Sequence, residues 1–127
     1  MAKKIVVVDD SREFVDLVQT LLEQAGYQVV PVVESLKARG VVRHERPDLV
    51  ILDIMMPGQS GWEVLDMLKL DPVTRDIPVL ITTAALVSMR AEESLLRSRG
   101  VEVLAKPFNM DDLLVKVESL VGKPQAA

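Results

Sequence analysis

Three aspartates, a threonine and a lysine stand at the ends of short apolar runs of the chain. Asp9 and Asp10 follow Ile5–Val8, Asp53 follows Leu49–Leu52, Thr83 follows Val79–Thr82, and Lys106 comes just after Val101–Leu104. Singly, each has a bland reading. Asp10 is a helix N-cap, Asp53 caps the turn before Met55-Met56-Pro57-Gly58, Thr83 is a strand-end hydroxyl and Lys106 a solvated charge. Jointly they suggest chemistry. Three carboxylates brought together repel by roughly 1–4 kcal/mol per close pair at surface dielectrics, so the cluster calls for a cation. Hard oxygen donors without His or Cys suit Mg²⁺ or Mn²⁺ rather than zinc. Three negative charges and one lysine leave a formal −2, which one divalent ion neutralises. Such an ion meeting a phosphate oxygen is the usual arrangement for phosphoryl transfer.

Composition narrows the alternatives. The chain has 127 residues, which fits one domain. There is no Cys and one histidine, His44, which excludes a thiol nucleophile, a disulfide framework and cysteine-bound zinc. The aromatics are Phe14, Tyr27, Trp62 and Phe108, too few for a stacking platform. A net charge of −4 argues against direct nucleic-acid binding. No apolar run approaches the ~20 residues of a membrane span, and the apolar run at the start is too short for a secretory signal. A soluble, cytoplasmic protein is expected.

The elements that must position these residues are legible as five alternations of a short apolar run with a helix-period stretch. The runs are Ile5–Val8, Val29–Val33, Leu49–Leu52, Val79–Thr82 and Val101–Leu104. Continuous apolarity implies strands covered on both faces, as in parallel sheets. Pro31 places the second at an edge. The first helix carries an apolar stripe of Phe14, Leu17, Val18, Leu21 and Leu22 and stops at Gly26. A second, poorer helix covers Leu36–Glu45, and Ser60 opens a third through Leu70. The fourth is Arg90–Arg99. The fifth is capped by Asn109 and buries Leu113, Leu114, Val117, Leu120 and Val121. This predicts an α/β fold, a (βα)5 doubly wound parallel sheet with helices on both faces. Ligands in such sheets bind beyond the carboxyl ends of the strands, where all five singled-out side chains fall. Residues 1–122 form the domain; 123–127 read as a polar tail or a linker stub. His44 reads as solvated and Trp62 as a packing residue.

The acid pair in Val8-Asp9-Asp10-Ser11, the segment Pro47–Pro57 around Asp53 with Gly61 beyond it, Pro78–Ala84 ending in Thr82-Thr83-Ala84, and Lys106-Pro107-Phe108 occur in an order that resembles a two-component response-regulator receiver domain. The resemblance covers nearly the whole chain. It implies a flavodoxin-like three-layer sandwich of strand order 2-1-3-4-5. It implies that Asp53 accepts a phosphoryl group from a sensor histidine kinase or phosphotransfer protein. Asp10, Asp53 and the backbone carbonyl of Met55 would ligate Mg²⁺ (or Mn²⁺), with Asp9 acting through a metal-bound water. Lys106 would pair with one phosphoryl oxygen and Thr83 with another, helped by backbone N–H groups near Met55 and Ala84. A cis Lys106–Pro107 peptide is expected. Apart from its own phosphorylation and slow self-dephosphorylation, the domain is no enzyme. Output is expected through the loop after the fourth strand and the face of the fourth helix, fifth strand and fifth helix. Its recipient is a downstream protein, a fused output domain or a second copy in a homodimer.

One position departs from the family. An aromatic ring usually stands three residues before the lysine, and here the residue is Val103. The segment Ala84–Met89 is apolar and suits either packing under the sheet or a partner. A pseudo-receiver acting by protein contact without phosphorylation is the alternative reading. A haloacid-dehalogenase-type hydrolase would need an acid two residues after Asp53, where Met55 stands, and no phosphate-loop signature is present.

Overall fold

Among the described residues every strand is five residues long, and on the central strands successive apolar side chains enter two different cores. The structure is a computed structural model and describes residues 3–56, 58, 60–83 and 100–123. The elements are β1 (Lys4–Val8), α1 (Arg12–Gln24), β2 (Gln28–Val32), α2 (Ser35–Glu45), β3 (Leu49–Asp53), α3 (Gly61–Leu70), β4 (Val79–Thr83), β5 (Val101–Ala105) and α4 (Met110–Val121). The strands form one sheet, ordered β2-β1-β3-β4-β5, and all four pairings are parallel.

Because side chains alternate across a strand, the central strands carry apolar residues on both faces until their C-terminal ends. Val6, Val8, Val50, Leu52, Val79 and Ile81 pack with Ala38 and Val42 of α2 and Val64, Leu65 and Leu68 of α3. Ile5, Val7, Leu49, Ile51 and Leu80 pack with Val15, Val18 and Leu22 of α1 and Leu113 and Val117 of α4. The result is the expected three-layer, doubly wound sandwich. Pro31 sits exposed on the edge strand β2, where its missing N–H costs no ladder bond.

Two helical expectations need adjustment. The buried stripe of α1 is Val15, Val18 and Leu22, whereas Leu17 is 53% exposed. Leu17 lies about 100° around the helix from Val18, which turns it off the sheet. On α4, Leu113 and Val117 are fully buried, while Leu114, Leu120 and Val121 only flank them. The helix expected over 90–99 and the apolar segment 84–89 lie outside the described residues. Among the described residues, no helix is long and apolar enough to cross a membrane.

Candidate functional site

The C-terminal ends of β1, β3, β4 and β5 lie side by side, and the chain leaves each on a residue that can do chemistry. After β1, the backbone N–H of Asp9 still donates to the Val32 carbonyl, at 3.1 Å. This ladder bond keeps Asp9 on the sheet, where the residue is 1% exposed. Its two oxygens have separate tasks. Oδ1 accepts from the Ser11 N–H at 2.9 Å, and Oδ2 accepts from Lys106 Nζ at 2.8 Å. Asp10, one residue further on, is exposed. Ser11 then caps α1, its Oγ accepting from the Phe14 N–H at 3.3 Å.

Asp53 ends β3 and is 5% exposed. Its Oδ1 accepts from the Met55 N–H at 3.2 Å and lies 3.9 Å from Lys106 Nζ. One carboxylate oxygen from each of Asp9, Asp10 and Asp53 falls within 4.8 Å of the others. Burial raises the Asp53 carboxyl above its ordinary value, and the neighbouring Asp9 and Asp10 charges add to the rise. The Met55 N–H and Lys106 act against it. Asp53 is therefore a buried carboxylate held close to like charges, whereas Asp9 has the lysine.

Thr83 ends β4 fully buried, and its carbonyl accepts from the Lys106 N–H at 2.8 Å. That bond extends the β4–β5 ladder by one residue and fixes where the lysine leaves the sheet. The Lys106–Pro107 peptide is cis, as expected. Val103, 7% exposed, is a register partner of Ile81 and packs in the core on the α2–α3 side. The Met55 side chain is 62% exposed, so its part in the site is its backbone.

Three residues at the site carry roles that the sequence reading did not assign to them. Periodicity alone places Phe14 on the apolar stripe of α1. Its ring lies beneath Lys106, with Nζ 4.4 Å from the centroid. Thr82 pairs in register with Asp53, so the two side chains share a sheet face. The Thr82 hydroxyl is buried with no hydrogen-bond partner. At Gly61 the start of α3 crosses the end of β3. Its N–H donates to the Ile54 carbonyl at 3.0 Å, and a Cβ there would collide with the Asp53 carbonyl oxygen and Ile54 Cα. The adjacent aspartates beside Phe14 and the Thr-Thr pair were the available signals, but contact distances were not.

Residues 5–118 match the family model described as the response regulator receiver domain. The chain belongs to that family. It is 36% identical over 128 residues to the DNA-binding dual master transcriptional regulator RpaA of Synechocystis, covering 98% of this chain and 53% of RpaA. It thus spans about half the length of that relative. It is 33% identical over 123 residues to the polar-differentiation response regulator DivK of Brucella anthropi, covering 96% of this chain and 98% of DivK. Among solved structures, the chemotaxis protein CheY4 of Vibrio cholerae superposes with a TM-score of 0.83 at 26% identity. That match covers 94% of this chain and 99% of CheY4. The receiver domain is a signalling module of two-component systems rather than an enzyme with a separate substrate.

Proposed function

We propose that this receiver domain is a phosphoacceptor switch in which Asp53 takes a phosphoryl group from a phosphohistidine on a sensor histidine kinase or phosphotransfer protein. The observation that carries this reading is a buried carboxylate with two further carboxylates within 4.8 Å and a lysine 3.9 Å away. An Asp53 oxygen attacks phosphorus, the P–O bond forms as the P–N bond breaks, and the electron pair returns to the leaving imidazole. Lys106, now on Asp9, is close enough to transfer its attention to a phosphoryl oxygen on Asp53. Thr83 would hydrogen-bond another. Positioning and charge neutralisation carry most of the catalysis in such a loose transition state.

The donor set fits a hard divalent cation: carboxylate oxygens from three residues, with no nitrogen or sulfur ligand among them. Asp9, Asp10, Asp53 and the Met55 carbonyl would hold Mg²⁺ (or Mn²⁺). The ion supplies charge neutralisation for the incoming phosphoryl oxygens. We read the output as passing through the segment after β4 and the face containing β5 and α4, in the cytoplasm. With Val103 in place of a ring, that relay does not use an aromatic swing.

Labelling with acetyl phosphate tests the reading. The label must require Mg²⁺, must be cleaved by hydroxylamine as an acyl phosphate is, and must be absent from Asp53→Asn. Wild-type protein that stays unlabelled would favour the pseudo-receiver.

A further inference from the structure

A lysine has a flexible four-carbon stem, so a lysine that must act at one atom needs something to hold it. The Lys106 side chain is 26% exposed, and its ammonium touches Asp9 at 2.8 Å, with Asp53 at 3.9 Å. Its other neighbour is the face of Phe14, 4.4 Å from Nζ to the centroid. That distance lies well within the range of cation–π attraction. The residue is held at its backbone and at its ring. Its backbone N–H is tied to Ser11 Oγ, and Phe108 meets it in a T-shaped contact at 5.9 Å and 80°.

The contacts close a circuit. Asp9 holds the Ser11 N–H, Ser11 holds the Phe14 N–H, Phe14 faces the Lys106 ammonium, and Lys106 returns to Asp9. Beside it lies a cavity of about 350 Å³ lined by Phe14, Lys106, Pro107, Phe108 and Met110. This space would accept the lysine stem if the ring were removed. Phe14 is partly buried: it packs against the core on the α1 side and also borders this open volume.

We propose that Phe14 is a positioning residue for phosphoryl transfer, its ring keeping the Lys106 ammonium at the boundary between Asp9 and Asp53. The inference rests on the reading of Asp53 as phosphoacceptor. Without the ring, the lysine spends most of its time in the neighbouring cavity and meets the transition state less often.

The test compares wild type, Phe14→Leu, Phe14→Met and Phe14→Tyr, using initial rates of labelling by acetyl phosphate with Mg²⁺. Proton–carbon NMR of the Lys106 ε-methylene is recorded on the same samples. Leu and Met lower the rate roughly three- to tenfold, while Tyr, which keeps the ring, stays within about twofold of wild type. The methylene protons are shifted upfield by the ring in wild type and Tyr, and that shift is lost in Leu and Met. In a Lys106→Met background, Phe14→Leu has no further effect on rate. Leu and Met at wild-type rates, or a rate loss that persists without the lysine, would overturn the role of Phe14 alone. A wild type that takes no label would overturn the phosphoacceptor reading and this role together.

Discussion

The Lys106 ammonium is hydrogen-bonded to Asp9, at 2.8 Å from Oδ2. The charge pair of the site is thus lysine with Asp9, and Asp53, the proposed acceptor, stands one step further off, with its Oδ1 3.9 Å from the lysine. The pairing sets what each substitution should do.

Lys106→Met leaves the buried Asp9 side chain without the cation it pairs with. Breaking such a pair costs more than the intact pair contributes, because the desolvation penalty of the remaining charge is uncompensated. We expect a loss of about 1–3 kcal/mol, reduced from the fully buried case because the lysine is partly exposed. Urea unfolding without divalent ions measures it; an unchanged midpoint would show that the pair is dispensable.

Asp53→Asn should do the opposite. The folded state raises the Asp53 carboxyl above 3.8, chiefly by burial and then by Asp9. The native state therefore holds the proton more tightly than the unfolded chain, and stability falls as pH rises through the raised value. At pH 7 without metal, Asn removes that burden and raises the melting temperature. The gain shrinks as pH is lowered through the raised value. Asp10→Asn should give a smaller gain, since Asp10 is exposed and its charge is screened by water. A larger gain at Asp10 than at Asp53 would contradict this electrostatic picture.

Gly61→Ala tests the close crossing of α3 over β3. The added methyl meets the Asp53 carbonyl oxygen and Ile54 Cα, both backbone, so neither can rotate away. A destabilisation of about 1–3 kcal/mol is expected, despite the better helix propensity of alanine. Chemical denaturation would show it, and a stabilised variant would mean that the backbone yields there.

Thr82→Val should stabilise the protein. The hydroxyl is buried and without a hydrogen-bond partner, and valine keeps nearly the same shape. Relief of an unsatisfied buried hydroxyl is worth about 1–2 kcal/mol. A lower midpoint for Val in denaturant would show that the hydroxyl finds a partner in solution.

Much of this is legible in the sequence. Short β-branched runs with no polar interruption read as doubly covered parallel strands, and the parallel sheet brings their C-terminal ends together. From that alone, Asp9, Asp10, Asp53, Thr83 and Lys106 belong at one edge. What stayed hidden were matters of distance. Whether Lys106 meets Asp9 or Asp53 depends on ångström-scale placement of a flexible stem, which no spacing encodes. Phe14 fits the period of α1, so periodicity could not separate a core ring from one facing an ammonium. Leu17 fits nearly as well, and only the orientation of the whole helix turned it to water. Thr82 was one of two adjacent threonines, and register alone reveals which of them lies beside Asp53.

The central claim is that Asp53 accepts the phosphoryl group. Intact-protein mass spectrometry after incubation with acetyl phosphate and Mg²⁺ tests it most directly. The account predicts that wild type gains the mass of one phosphoryl group, that Asp53→Asn gains none, and that omission of Mg²⁺ suppresses the gain. A wild type that keeps its unmodified mass, or an Asp53→Asn variant that is labelled as fully as wild type, would contradict it.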